Sequence, residues 1–208
     1  MHIDKIKNKG QRRLFENQNF EMMTKTHPFV IYSIYFPFII LMLYYGNAYE
    51  RISVGKESLL FLSGIFFWSF FEYIMHRYIF HFIADSKNTQ RLIYTMHGVH
   101  HEYPRDRERL FMPPVPSIIV SSLLLLATHS LIGAYTLAFF PGFIFGYLVY
   151  GSMHYAIHAF APPKFLKALW RNHHLHHYKT PDKGFGVSSV FWDIVFKTVP
   201  QKEEDAIH

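Results

Sequence analysis

The chain has 208 residues, a net charge of +6 and no cysteine, and it is 50% hydrophobic and 19% aromatic. That length fits one domain, the apolar content excludes a disordered chain, and the lack of cysteine excludes disulfides, iron–sulfur clusters and thiolate zinc sites. A mean hydropathy of only +0.04 hides apolar blocks set between basic segments, a membrane-protein pattern in which the positive charge calls for no nucleic acid.

In chain order, residues 1–28 are polar and show no cleavable signal pattern. The first apolar block, residues 29–46, carries no charge and contains Pro37, a tolerated kink site in a membrane helix. After the polar turn NAYERISVGKES, a second block covers residues 59–81, apolar at its start and bearing Glu72, His76, Arg77 and His81 at its end. Residues 82–116 form a polar loop rich in Arg, Pro and His, in which Pro113, Pro114 and Pro116 stop helix continuation. A third block (117–132) and a fourth (134–158) make a tight hairpin, and the tail from 159 to 208 is polar. Six Lys and Arg lie in residues 1–28, five in 82–116 and seven in the tail, against two in the first turn and none in the hairpin turn. The positive-inside rule then predicts four spans with both termini and the middle loop cytosolic. The expected class is all-α, an integral membrane four-helix domain with a cytosolic helical cap. Residues 1–28 are a cytosolic segment and 29–208 the membrane domain.

Eleven of the 15 histidines fall in four clusters: HRYIFH, HGVHH, HYAIH and HHLHH. His154 and His158 stand four apart, so both project from one helix face. His97, His100 and His101, and likewise His173, His176 and His177, follow i, i+3, i+4 on one face. His174 falls off that face and reads as a bystander or an outer group. His76 and His81, five apart, diverge on a regular helix, so either the helix ends between them or they serve different ions. Ten inward imidazoles are too many for one ion and suit two. Ligand type alone does not choose the metal, although a zinc hydrolase needs only about three protein ligands. The scattered His2, His27, His129 and His208 read as ordinary interfacial groups.

Supporting roles follow. A metal-bound imidazole usually donates its second N–H to a carboxylate or carbonyl. Glu72, four before His76 and costly inside a span, is the foremost candidate, ahead of Asp106, Asp182 and Asp193. Arg105, Arg107 and Arg109 read as a basic cytosolic loop or a seat for an anionic lipid head or a redox partner. Gly184 and Gly186 suit a tight turn folding the tail over the site.

HRYIFH, HGVHHEYPRDRERLFMPP, GYLVYGSMHYAIH and HHLHHYKTPDKGFGVSSVFWDIVF together resemble the fatty acid hydroxylase superfamily, and within it the 2-hydroxylase branch, over residues 55–200. The resemblance implies two metal ions held by His76, His81, His97, His100, His101, His154, His158, His173, His176 and His177. It implies iron as the working metal, with zinc able to occupy the same ligands, and dioxygen as co-substrate. The implied reaction hydroxylates C2 of acyl chains, free or in sphingolipids. The implied setting is a bacterial inner membrane or the endoplasmic reticulum, with the site facing the cytosol. Many eukaryotic members carry an N-terminal cytochrome b5-like domain where this chain has a short polar segment. The implied donor is therefore a separate cytochrome b5-like or ferredoxin-type protein. Gly151 also departs from the pattern, which has an acid after the tyrosine corresponding to Tyr150. Sterol or carotenoid hydroxylation or desaturation at the same centre is the alternative chemistry. A non-catalytic membrane metal-binding protein is the alternative class.

Overall fold

The computed structural model describes residues 6–200, and every regular element among them is helical. His2 and His208 lie outside the described residues. The elements are α1 (Gln18–Met22), α2 (Pro28–Ala48), α3 (Val54–Ile74), α4 (Lys87–Ile93), α5 (Val99–Glu102), α6 (Pro114–Ile132), α7 (Thr136–Ala159), α8 (Lys167–Tyr178) and α9 (Phe191–Val195). α3 runs into a π-helical segment, Met75–Phe80, and α4 into another, Tyr94–Gly98.

Three stretches are long and apolar enough to cross a membrane: Pro28–Ala48, Val54–Phe80 and Arg107–Ala159. The last contains α6 and α7, separated by Gly133 at φ 56°. Two boundaries differ from the sequence expectation. The first polar turn is shorter, because Gly55, Lys56 and Glu57 already belong to α3, where an acid in the first turn suits the helix dipole. Pro114 and Pro116 open α6 rather than end the loop before it. A proline in the first turn gives up an N–H that has no helical partner anyway.

The chain divides into two compact units. One comprises Arg13–Phe70 and Glu108–Ser152. Within it α3 and α7 approach so closely that a Cβ on Gly142 would stand 1.9 Å from the Phe61 carbonyl oxygen. Small residues at such crossings let apolar helices touch backbone to backbone. Two hydroxyl pairs join its apolar helices: the Tyr35 hydroxyl meets Ser117 Oγ at 2.7 Å, and Tyr32 meets Ser152 Oγ at 2.7 Å. Arg109 is buried and bonds Glu21 Oε1 at 2.5 Å, so it is not available to a lipid head or redox partner.

The other unit comprises Met1–Arg12, Phe71–Arg107 and Met153–His208. Its described N-terminal stretch lies across the histidine-bearing segments. The Lys7 N–H donates to the Glu102 carbonyl at 2.7 Å, Gln11 Nε2 to Asp106 Oδ1 at 2.8 Å, and the Tyr178 hydroxyl to Asn8 Oδ1 at 2.7 Å. Asp106 thus anchors this strap. α4 begins at a Ser86 cap whose Oγ accepts the Thr89 N–H, which sets the register of the helix leading to His97.

Candidate metal centre

All ten inward histidines lie in this second unit, and their ring nitrogens converge in two groups. His76, His81, His97, His101 and His176 form one; His100, His154, His158, His173 and His177 form the other. Within each group one nitrogen per ring lies within 4.8 Å of all the others. His81 and His158 are half-buried, and the other eight are buried.

Local geometry explains the sorting. In an α-helix His76 and His81 would diverge. The π-helical segment Met75–Phe80 bonds i to i+5, which brings a residue back over the one five before it. Both rings therefore enter the first group, with centroids 5.1 Å apart. α5 sends His101 to the first group and its neighbour His100 to the second. α8 divides its histidines the same way, with His176 in the first group and His173 and His177 in the second. His101 and His177 stack at 4.1 Å between centroids, so the two groups share a wall of imidazole. His174 joins neither group.

The donor set fits metal ions. Nε2 atoms face one another at 3.1 Å for His76–His97, 2.9 Å for His97–His101, 2.8 Å for His100–His154 and 2.9 Å for His158–His173. At a metal–nitrogen length of about 2.0–2.1 Å, two ligands at right angles stand roughly 2.9 Å apart. Imidazoles cannot satisfy such a knot among themselves, since each neutral ring has one N–H and one lone pair. Nε2 of His81 and of His176 is buried with no hydrogen-bond partner at all.

Burial, and after it the neighbouring imidazoles, holds the rings neutral, the state that can ligate a metal. His81 is pushed down to about 2 by burial and then by His76. His176 is pushed down to about 3 by burial and then by His81. His97, His100, His101, His173 and His177 lie well below the usual histidine range for the same causes.

The tail loop 183–188 fixes ring orientation in the first group. His76 Nδ1 meets the Phe185 carbonyl at 2.6 Å and His176 Nδ1 meets the Lys183 carbonyl at 2.7 Å. A carbonyl accepts only from N–H, so both rings carry their proton on Nδ1 and turn Nε2 inward. Gly184 between these carbonyls sits at φ +73°, where a side chain is strained. Asp193 accepts the N–H groups of Phe185 (2.9 Å) and Gly186 (2.8 Å) and the Thr198 hydroxyl (2.7 Å). Glu72 accepts the N–H groups of Val187 (2.8 Å) and Ser188 (2.9 Å). Glu72 therefore holds the loop that presents Phe185 rather than bonding His76 itself. Asp193 is a full partner in the same task, and Asp182 is exposed. The carbonyls of Lys183 and Phe185 escaped the sequence reading because main-chain acceptors leave no residue signature.

The fatty acid hydroxylase family matches residues 61–198. The ceramide very long chain fatty acid hydroxylase of Saccharomyces cerevisiae is 34% identical, over 95% of this chain and 52% of its own length. A dihydroceramide fatty acyl 2-hydroxylase of Arabidopsis thaliana is 34% identical over 90% of this chain and 80% of its own. The fatty acid 2-hydroxylase of Homo sapiens is 33% identical over 91% and 57%. A solved structure described as full-length scs7p, with only the hydroxylase domain visible, superposes at a TM-score of 0.86 and 33% identity, over 93% of this chain and 74% of that one. The chain thus spans about half the length of the yeast and human relatives.

Proposed function

Because the chain belongs to the fatty acid hydroxylase family, we propose that it is a membrane-embedded di-iron hydroxylase that adds a hydroxyl at C2 of fatty acyl chains, free or in ceramide-type lipids. The observation that carries this reading is the convergence of ten imidazoles into two groups of five. The named relatives act on ceramide and fatty acyl groups, which supports the substrate class.

His76, His81, His97, His101 and His176 would hold one ion, and His100, His154, His158, His173 and His177 the other. When bound, the two ions supply the redox chemistry that turns dioxygen into an oxidant able to attack an unactivated C–H bond. The chain supplies the rest. The Lys183 and Phe185 carbonyls fix the protons of His176 and His76, and Asp193 and Glu72 hold those carbonyls in place. Burial of eight of the ten rings keeps water from the centre and keeps the imidazoles neutral.

In this reading the chain crosses the membrane four times, α6 and α7 being separate spans. Residues 1–28 are a cytosolic segment, 29–208 form the membrane hydroxylase domain, and the histidine-bearing helices make a cytosolic cap. The distribution of Lys and Arg supports that orientation. Electrons come from a one-electron carrier.

The test is lipid mass spectrometry on cells expressing the chain, with iron and a reductant system supplied. The expected result is new 2-hydroxyacyl species that a His173→Ala variant does not make. Loss of two hydrogens from acyl chains, or a modified isoprenoid, would replace this reading by desaturation or by sterol or carotenoid oxidation.

A further inference from the structure

His174 is the member of HHLHH that neither group uses. It shares one face of α8 with Lys167, Arg171 and Tyr178, at spacings of four, three and four. Lys167, Arg171 and Tyr178 are exposed and His174 is half-buried. No acidic residue occurs anywhere from Phe160 to Pro181. Arg105, also exposed, stands two residues before Arg107 in the same loop. Arg107 donates to the Ala159 carbonyl at 3.3 Å, one residue from His158. Among the described residues, Arg105, Lys167 and Arg171 have no carboxylate partner. The surface around His174 is therefore an uncompensated basic stripe.

Beneath the stripe lies a short path inward. His174 and His158 have ring centroids 6.4 Å apart. His158 is the half-buried member of the second group, and its Nε2 meets His173 Nε2 at 2.9 Å. Electron transfer falls steeply with separation, so a carrier docked over His174 stands two rings from the second group. An anionic membrane surface would also answer the charge, but it has no use for a ring touching a member of the group.

We propose that the Lys167–Arg171–His174 face of α8, with Arg105 beside it, docks a small acidic one-electron carrier protein, and that electrons enter the second histidine group through His174 and His158. The proposal rests on the hydroxylase reading. Each hydroxylation consumes one O2, two electrons and two protons. One oxygen enters the C–H bond as C–OH and the other leaves as water, and the carrier is oxidised by one electron in each of two encounters.

The test uses the full iron-loaded chain in nanodiscs of neutral phosphatidylcholine, with a soluble acidic b-type haem domain as probe. Binding is titrated across ionic strength, and haem oxidation is followed without oxygen. The Arg105→Glu/Arg171→Glu variant should bind the haem domain about tenfold more weakly and lose the salt dependence of binding. His174→Leu should leave binding intact and slow haem oxidation about tenfold, while dithionite reduces both variants at the wild-type rate. Wild-type binding and oxidation in both variants would overturn the proposal. So would a charge-reversed variant that loses only its affinity for phosphatidylserine vesicles. Haem oxidation without hydroxyacyl product once oxygen is admitted would sink the hydroxylase reading and leave the docking face standing.

Discussion

The carboxylate of Asp193 accepts the N–H of Phe185 at 2.9 Å, and the carbonyl of that same Phe185 takes His76 Nδ1 at 2.6 Å. A carboxylate thus acts on a candidate metal ligand through one intervening residue. Burial raises the Asp193 pKa, while its bonds to Thr198, Gly186, Phe185 and Asn172 pull the other way. Replacing it by Ala leaves two buried N–H groups without an acceptor, at about 1–3 kcal/mol each. We expect Asp193→Ala to lower metal affinity by about 10–100-fold, as removal of ligand-orienting groups commonly does. Competition with a fluorescent chelator measures this, and exposed Asp182→Ala should match the wild type.

The two groups should release metal at different rates. In the first, His76 and His176 have Nδ1 held by carbonyls. In the second, Nδ1 of His100, His173 and His177 has no protein partner. Imidazoles without that second bond are looser and less basic ligands. Metal content followed during chelation should therefore fall in two phases, with the second group's ion leaving first. A single phase releasing both ions together would refute the asymmetry.

Acid should act through the same rings. His81 and His176 are held at about 2 and about 3 in the folded chain, by burial and then by a neighbouring imidazole. An unfolded histidine titrates near 6.5. Below that pH the unfolded chain binds protons that the folded chain refuses, so stability is present above about 6.5 and is lost as pH falls. The loss is about 1.4 kcal/mol per pH unit for each such ring. Metal-free protein should lose melting temperature progressively from pH 7 to 5. Loaded protein should lose less over the same range, since bound metal adds to the stability of the folded state, whose rings stay neutral there.

At Gly151 a Cβ would lie 2.2 Å from Cε1 of Phe111. Phe111 is buried and packs edge-on against Tyr32 and Tyr147. Overpacking such a contact costs about 1–3 kcal/mol. Gly151→Ala should lower the melting temperature in detergent, and Phe111→Leu should do so by loss of packing. The double variant should be more stable than the sum of the two predicts, by about 0.5–3 kcal/mol of coupling. Strict additivity would show that the ring moves aside without cost.

Much of the site was legible because helical spacing is a strong code. The i, i+3, i+4 pattern of His97, His100, His101 and of His173, His176, His177 anticipated which rings face inward and set His174 apart. What it did not reveal was the partition, in which neighbours such as His100 and His101 serve different groups. That depends on how α5 and α8 meet, and no single helix encodes it. His76 and His81 were ambiguous because the sequence does not announce a π-helix. The loop carbonyls and the strap from Lys7 to Gln11 were invisible for a related reason: main-chain partners and long-range polar pairs carry no periodicity.

The π-helical turn at Met75–Phe80 makes chain length, as well as residue identity, a coordinate of the centre. A π-turn is an α-turn with one residue inserted, which is what lets two residues five apart share a face, and a second inserted residue exceeds what the turn absorbs. Tyr78 is about half exposed. One residue inserted beside it would preserve all ten histidines and set His81 six positions from His76, off the shared face of an α- or a π-helix. Such a variant should bind one metal ion instead of two, as counted by plasma emission spectrometry, although a search for the histidine boxes would pass it as intact. The gap between two candidate ligands can thus be a genetic lesion in its own right, with neither histidine altered.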